Sequence, residues 1–212
     1  MIARLKLELK NLKWLYGLPV IVAWVLIPLL NQADYRMDND PAYLYTLVGT
    51  AAQQYLPFFA SWWPILILKD YLHAPGRELL YMYRTGRDSL LMRMWVLWAW
   101  FMLHTAVLFV GYTCRFGNLL PFFGLLCAQT LFMVALGYCV AMLAHNTFLP
   151  LLFNLCYCLT FFLLLEQSKG GIFILNDALL VETYGIRSFW TAVSALGLFA
   201  LGYLRECRLG RA

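Results

Sequence analysis

The chain has 212 residues, of which 63% are apolar and only 13% charged. A soluble domain carries roughly 25% charged residues, so this composition excludes an ordinary water-soluble globule and makes the bilayer its solvent. The net charge of +5 would fit nucleic acid if the bases were clustered, but their placement gives them another role.

Residues 1–13 read as an amphipathic helix. Ile2, Leu5, Leu9, Leu12 and Tyr16 recur at intervals of three and four, with Lys6, Lys10 and Lys13 on the opposite face. This pattern suits a helix lying flat on an anionic leaflet. The first apolar run, 14–30, has no small-residue cleavage site and reads as an uncleaved signal anchor. A polar loop with Asp34, Arg36, Asp38 and Asp40 follows.

The second apolar run, 44–68, is the least oily, with Thr46, Gln53, Gln54, Ser61, Pro57 and Pro64. Such a helix is expected to be kinked and to lie inside a bundle or along a pathway. Trp62 and Trp63 fall near its middle rather than at an interface.

Segment 69–93 is the only long, charge-rich internal stretch on its side. Pro75 and Gly76 break the preceding helix, and 77–84 reads as a short amphipathic helix with Leu79, Leu80 and Tyr83 at helical spacing. Further runs follow at 94–114, 119–143, 148–165 and 189–204. The third is rich in tryptophan at its first end (Trp95, Trp98, Trp100), as an aromatic belt would be. Segment 166–188 reads as an interfacial or re-entrant outer element in which Asn176-Asp177 caps a short helix ending at Tyr184-Gly185. In the last run Ala195 and Gly202 form a small-residue stripe suited to close helix packing.

Six runs put both termini on one side. Twelve of the sixteen Lys and Arg residues fall on that side and four (Arg36, Arg115, Lys169, Arg187) on the other. The bias places the termini and the 69–93 loop in the cytosol and makes the basic charge topogenic, with no call for nucleic acid. The expected fold is therefore all-α and integral to the membrane, one domain of six transmembrane helices behind an interfacial helix.

Chemical motifs are few. The apolar runs carry no Asp, Glu, Lys or Arg near their middles, which disfavours an ion-coupled carrier. No HExxH, GxSxG or GxxxxGK[ST] occurs, so no catalytic residue is expected. His104 reads as packing among tryptophans, with a proton relay as the alternative. Six cysteines without a CxxC read as small apolar core residues rather than a metal site or disulfide. Gln53, Gln54, Gln129 and Asn154 can hydrogen-bond between helices or line a passage, the latter best for Gln53, Gln54 and Asn154.

The layout as a whole, with Gly76-Arg77-Glu78-Leu79-Leu80 and Thr85-Gly86-Arg87 between the second and third runs, resembles the permease subunit of type-2 ABC exporters. The resemblance implies that Arg77, Glu78, Leu79, Leu80, Tyr83 and Arg84 form a coupling helix seated in a groove of a separate ABC ATPase. It implies ATP and Mg2+ in that partner and no cofactor on this chain. It also implies a second permease half, as a homodimer or with a related chain, and a bacterial plasma (inner) membrane. Gln53, Gln54 and Asn154 would then face the central pathway. At 212 residues the chain is shorter than usual for that family, with a very short inner turn at 144–147. An apolar, aromatic interior fits an amphipathic cargo such as a peptide, antibiotic or lipid. The alternatives are a self-sufficient carrier and a non-transport membrane protein acting as scaffold, immunity factor or sensor.

Overall fold

A computed structural model describes residues 2–35, 41–73, 89–116, 118–164 and 184–209, and every element in them is helical. Helix α1 is Ile2–Asn11. Helix α2 runs from Trp14–Ile21 through a π turn, Val22–Leu26, into Ile27–Tyr35. Then come α3 (Pro41–His73), α4 (Leu90–Phe116), α5 (Leu120–Ala144), α6 (Phe148–Leu164) and α7 (Tyr184–Leu209).

Prolines shape α2. The N–H of Ile27 reaches the Val22 carbonyl five residues back, a π turn set immediately before Pro28, whose ring would clash with a regular helical carbonyl. Pro19 lacks the N–H that would bond the Leu15 carbonyl. That carbonyl instead accepts from the indole of Trp62 at 3.2 Å, and the next, Tyr16 O, accepts from Trp63 at 3.1 Å. Trp63 also stacks on Tyr16, with ring centroids 5.0 Å apart. The tryptophans that look misplaced within the second apolar run thus dock α3 onto α2. Helix α3 runs through Pro57 and Pro64 without a break in its helical assignment.

Contacts at opposite ends fix the helix directions. Asn31 on α2 donates to Tyr112 near the end of α4. At the other end, Tyr71 of α3, Arg93 of α4, Tyr138 of α5 and Glu206 of α7 converge. Tight links join α4 to α5 and α5 to α6. Asn118 accepts the N–H of Leu120, Asn146 accepts that of Phe148, and His145 closes α5 in the left-handed conformation. The helices therefore alternate in direction, and α1 lies at the same end of the bundle as the end of α7.

Helix α5 is the axis of the bundle. Its apolar stretch is 78% buried, against 22% to 39% for those of α2, α4 and α7. It packs most extensively on α7 and then on α3. Gly202 makes the α5–α7 approach possible, because a Cβ there would lie 2.5 Å from the Tyr138 ring. Ala195 is fully buried on the same helix. The outer helices show apolar stripes to their surroundings, as with Trp100, Leu103, Val107 and Val110 on α4. Contiguous exposed stripes of this kind face lipid rather than water.

Among the described residues, four helices are long and apolar enough to cross a membrane: Trp14–Gln32, Leu90–Cys114, Leu120–Ala144 and Gly185–Arg208. The chain is thus a multi-pass, membrane-embedded helical protein. Helix α3 is long, at 33 residues, but diluted by its polar groups, and α6 has only 17 residues. Several helices overrun the boundaries expected from hydropathy. Residues 69–73 and 90–93, read as loop, are helical, and so are 205–209 of the basic tail. Tyr184-Gly185, read as the end of a short helix, instead opens α7. At three of these ends the charge does not break the helix, because Arg93 and Glu206 are paired and Lys69 and Arg208 are exposed.

Candidate functional site

The most polar buried place among the described residues is the end of the bundle where α3, α4, α5 and α7 meet α1. It begins with Ser89, whose hydroxyl accepts the N–H of Met92 and caps α4. One turn in, Arg93 is only 2% exposed. Its guanidinium sits 2.5 Å from a carboxylate oxygen of Glu8 and donates to the Tyr71 hydroxyl. Tyr71 in turn donates to the same Glu8 oxygen at 2.8 Å. The guanidinium also lies over the Tyr71 ring, 5.1 Å from its centroid, a cation–π contact. Three helices are joined by one closed triangle of charge-assisted bonds.

A second carboxylate, Glu206 of α7, completes the cluster and is 1% exposed. It accepts the Leu90 N–H at 3.3 Å and the hydroxyl of Tyr138. Glu206 thus places a negative group at the N-terminus of α4, where free N–H groups and the helix dipole favour it. Burying such charges is costly, so each must keep its partners. The two sets of contacts together fasten α1, α3, α4, α5 and α7 at one end, on both sides of segment 74–88.

Among the described residues no group of three His, Cys, Asp or Glu could hold a metal. The arrangement ties the end of α3 and the start of α4 to α1 and α7 through short, directional, buried bonds.

The residues read from the sequence as ATPase-coupling, Arg77, Glu78, Leu79, Leu80, Tyr83 and Arg84, lie outside the described residues. Those read as pathway-lining fall in different places. Asn154 is fully buried and donates to Ser61 Oγ at 2.7 Å and to the Met133 carbonyl at 3.2 Å, which joins α6 to α3 and α5. Gln53 is 1% exposed inside the bundle. Gln54 lines a cavity, a groove of about 370 Å³ between α3 and α6. His104 lies edge-on to Trp100, centroids 5.0 Å apart.

Hydropathy reading passes over the charge cluster. Its signals are nevertheless local. Glu8 stands on the apolar stripe of α1 between Leu5 and Leu12, and Glu206 is the only acid in a basic tail. Arg93 stands alone between apolar neighbours, in Leu91-Met92-Arg93-Met94.

Compared with known proteins, the chain matches no family model, no curated protein and no solved structure.

Proposed function

We propose that this chain is the membrane-spanning permease subunit of an ATP-driven exporter of the type-2 ABC class, in a bacterial plasma membrane. In this reading all six helices α2–α7 cross the bilayer, with both termini and segment 74–88 in the cytosol. A separate ATPase docks on that segment through Arg77, Glu78, Leu79, Leu80, Tyr83 and Arg84, and supplies ATP and Mg2+. A second permease half completes the pathway, and the cargo is amphipathic.

One observation supports the reading above the others. The charged contacts Glu8–Arg93–Tyr71 and Glu206–Leu90 lie at the two helix ends that flank segment 74–88. A passive scaffold has no need to spend buried charge there, since an apolar replacement is often as stable. A lever does need it: a force applied between α3 and α4 must move whole helices rather than bend a loop. The alternating helix directions and the concentration of bases at that end support the cytosolic placement.

The test is ATP hydrolysis by the reconstituted chain with its ATPase. Reversing Glu78 to Lys is expected to abolish stimulation of hydrolysis by cargo while both chains remain folded. Normal stimulation in that variant overturns the lever.

A further inference from the structure

We infer that the groove between α3 and α6 is a binding site for a single-chain amphiphile, held by its hydrocarbon chain and by one hydrogen-bonding group. The inference goes beyond the exporter reading but rests on its placement of α3 and α6 across the bilayer, a placement that a carrier or a scaffold would share.

The groove is built, not a gap in packing. Where Asn154 donates to Ser61 at 2.7 Å, α6 and α3 are held together. The groove opens on the side of that contact toward Gln54 on α3 and Leu159 on α6. Phe58 and Phe59 form one wall, with ring centroids 5.1 Å apart and nearly perpendicular planes. Trp62 backs both rings at 5.8 and 6.0 Å, and its own indole is tied to α2. Cys158 is the buried floor, and Leu155 and Leu159 are half-exposed rims. A wall braced on α2 does not collapse to fill the space.

Its chemistry selects the ligand. The volume, about 370 Å³, lies at the small end of the range of about 300–1,000 Å³ usual for ligand pockets. The lining is apolar or aromatic except for the carboxamide of Gln54, the Tyr55 hydroxyl and the Cys158 thiol. Among the described residues no charged one lines it, so a free ion or a charged headgroup would lose its hydration without a partner. The groove follows two helices packed side by side in antiparallel directions, and therefore runs across the membrane as acyl chains do. A chain lying in it, with a hydroxyl or amide reaching Gln54, satisfies both the apolar walls and the single amide.

The test uses a diazirine-bearing hexadecanol with purified, detergent-solubilised protein, and maps the labelled residues by mass spectrometry. Label is expected to concentrate on residues 54–59 and 155–159. It should fall at least fivefold with excess unlabelled hexadecanol, and as far in Cys158→Phe, which fills the floor. Gln54→Leu should weaken competition by a hydroxylated chain more than by a plain one. Label spread evenly over the exposed stripe of α4 (Leu103, Val107, Val110), without competition, means bulk lipid contact only and overturns the site. Groove label that neither competitor reduces overturns it as well. Competition in the wild-type chain decides the matter if Cys158→Phe does not fold.

Discussion

Arg93 and Glu8 lie 85 residues apart in the chain, and their side chains meet at 2.5 Å. The contact joins the amphipathic N-terminal helix to the first turn of α4, which begins just after the charge-rich segment between α3 and α4. With Tyr71 closing the triangle, α1 becomes part of the bundle rather than an appendage on the membrane surface. Removing one partner of a buried pair leaves an uncompensated charge, at a cost of about 3–5 kcal/mol. Arg93→Met and Glu8→Gln are each expected to lower thermal stability in detergent. The double variant should be more stable than the sum of the two losses predicts. Additive losses in a double-mutant cycle would show that the two groups do not interact.

Trp62 repairs what Pro19 takes away. Its indole fills the place of the missing N–H at the Leu15 carbonyl, and a hydrogen bond of this kind contributes about 1 kcal/mol. Trp62→Phe should therefore destabilise the chain measurably. In a Pro19→Ala background, where the helix supplies its own N–H to Leu15, the same substitution should cost less. Equal costs in both backgrounds would refute the repair.

Two glycines with similar surroundings are expected to behave differently. At Gly202 a Cβ would stand 2.5 and 2.6 Å from two atoms of the Tyr138 ring, which cannot fold away. At Gly137 the nearest atom, 2.8 Å off, is the terminal methyl of Ile65, which can turn. Gly202→Ala should cost about 1–3 kcal/mol, as overpacking does, and should displace Tyr138 from Glu206. Gly137→Ala should be nearer neutral, because alanine gains about 1 kcal/mol of helix propensity over glycine. Unfolding midpoints for the two variants check the order, and the reverse order would contradict the packing.

Asn154 binds Ser61 and the Met133 carbonyl at once. Interhelical hydrogen bonds of this type contribute about 0.6 kcal/mol on average in a membrane and at most about 1.7. Asn154→Leu should fall within that range and loosen α6, read as faster proteolysis of the α5–α6 link. Unchanged stability and cleavage would mean that the amide is not what holds α6.

The helical, membrane-embedded character was legible from composition and hydropathy, because bilayer solvation leaves a continuous apolar record. The place of each polar group within the bundle was not. Gln53 and Gln54 are neighbours in sequence, yet one is buried among helices and the other lines a groove, since successive helical residues point about 100° apart. On charge alone Arg93 reads as a loop base. It becomes a core residue only because Glu8 and Tyr71, remote in the chain, arrive beside it. The end of α7 was obscured for the same reason: Glu206 has its partners on α4 and α5. Hydropathy weighs residues one by one, whereas a buried charge is stabilised by pairs.

The central claim, that the bundle is moved by an ATPase acting between α3 and α4, is tested most directly by purifying the tagged chain from its native membrane in a mild detergent. Recovery of a soluble protein with a nucleotide-binding loop, in about equal amount and lost on reversing Glu78 to Lys, is the predicted result. Recovery of the chain alone, under extraction that leaves other membrane complexes intact, would contradict it.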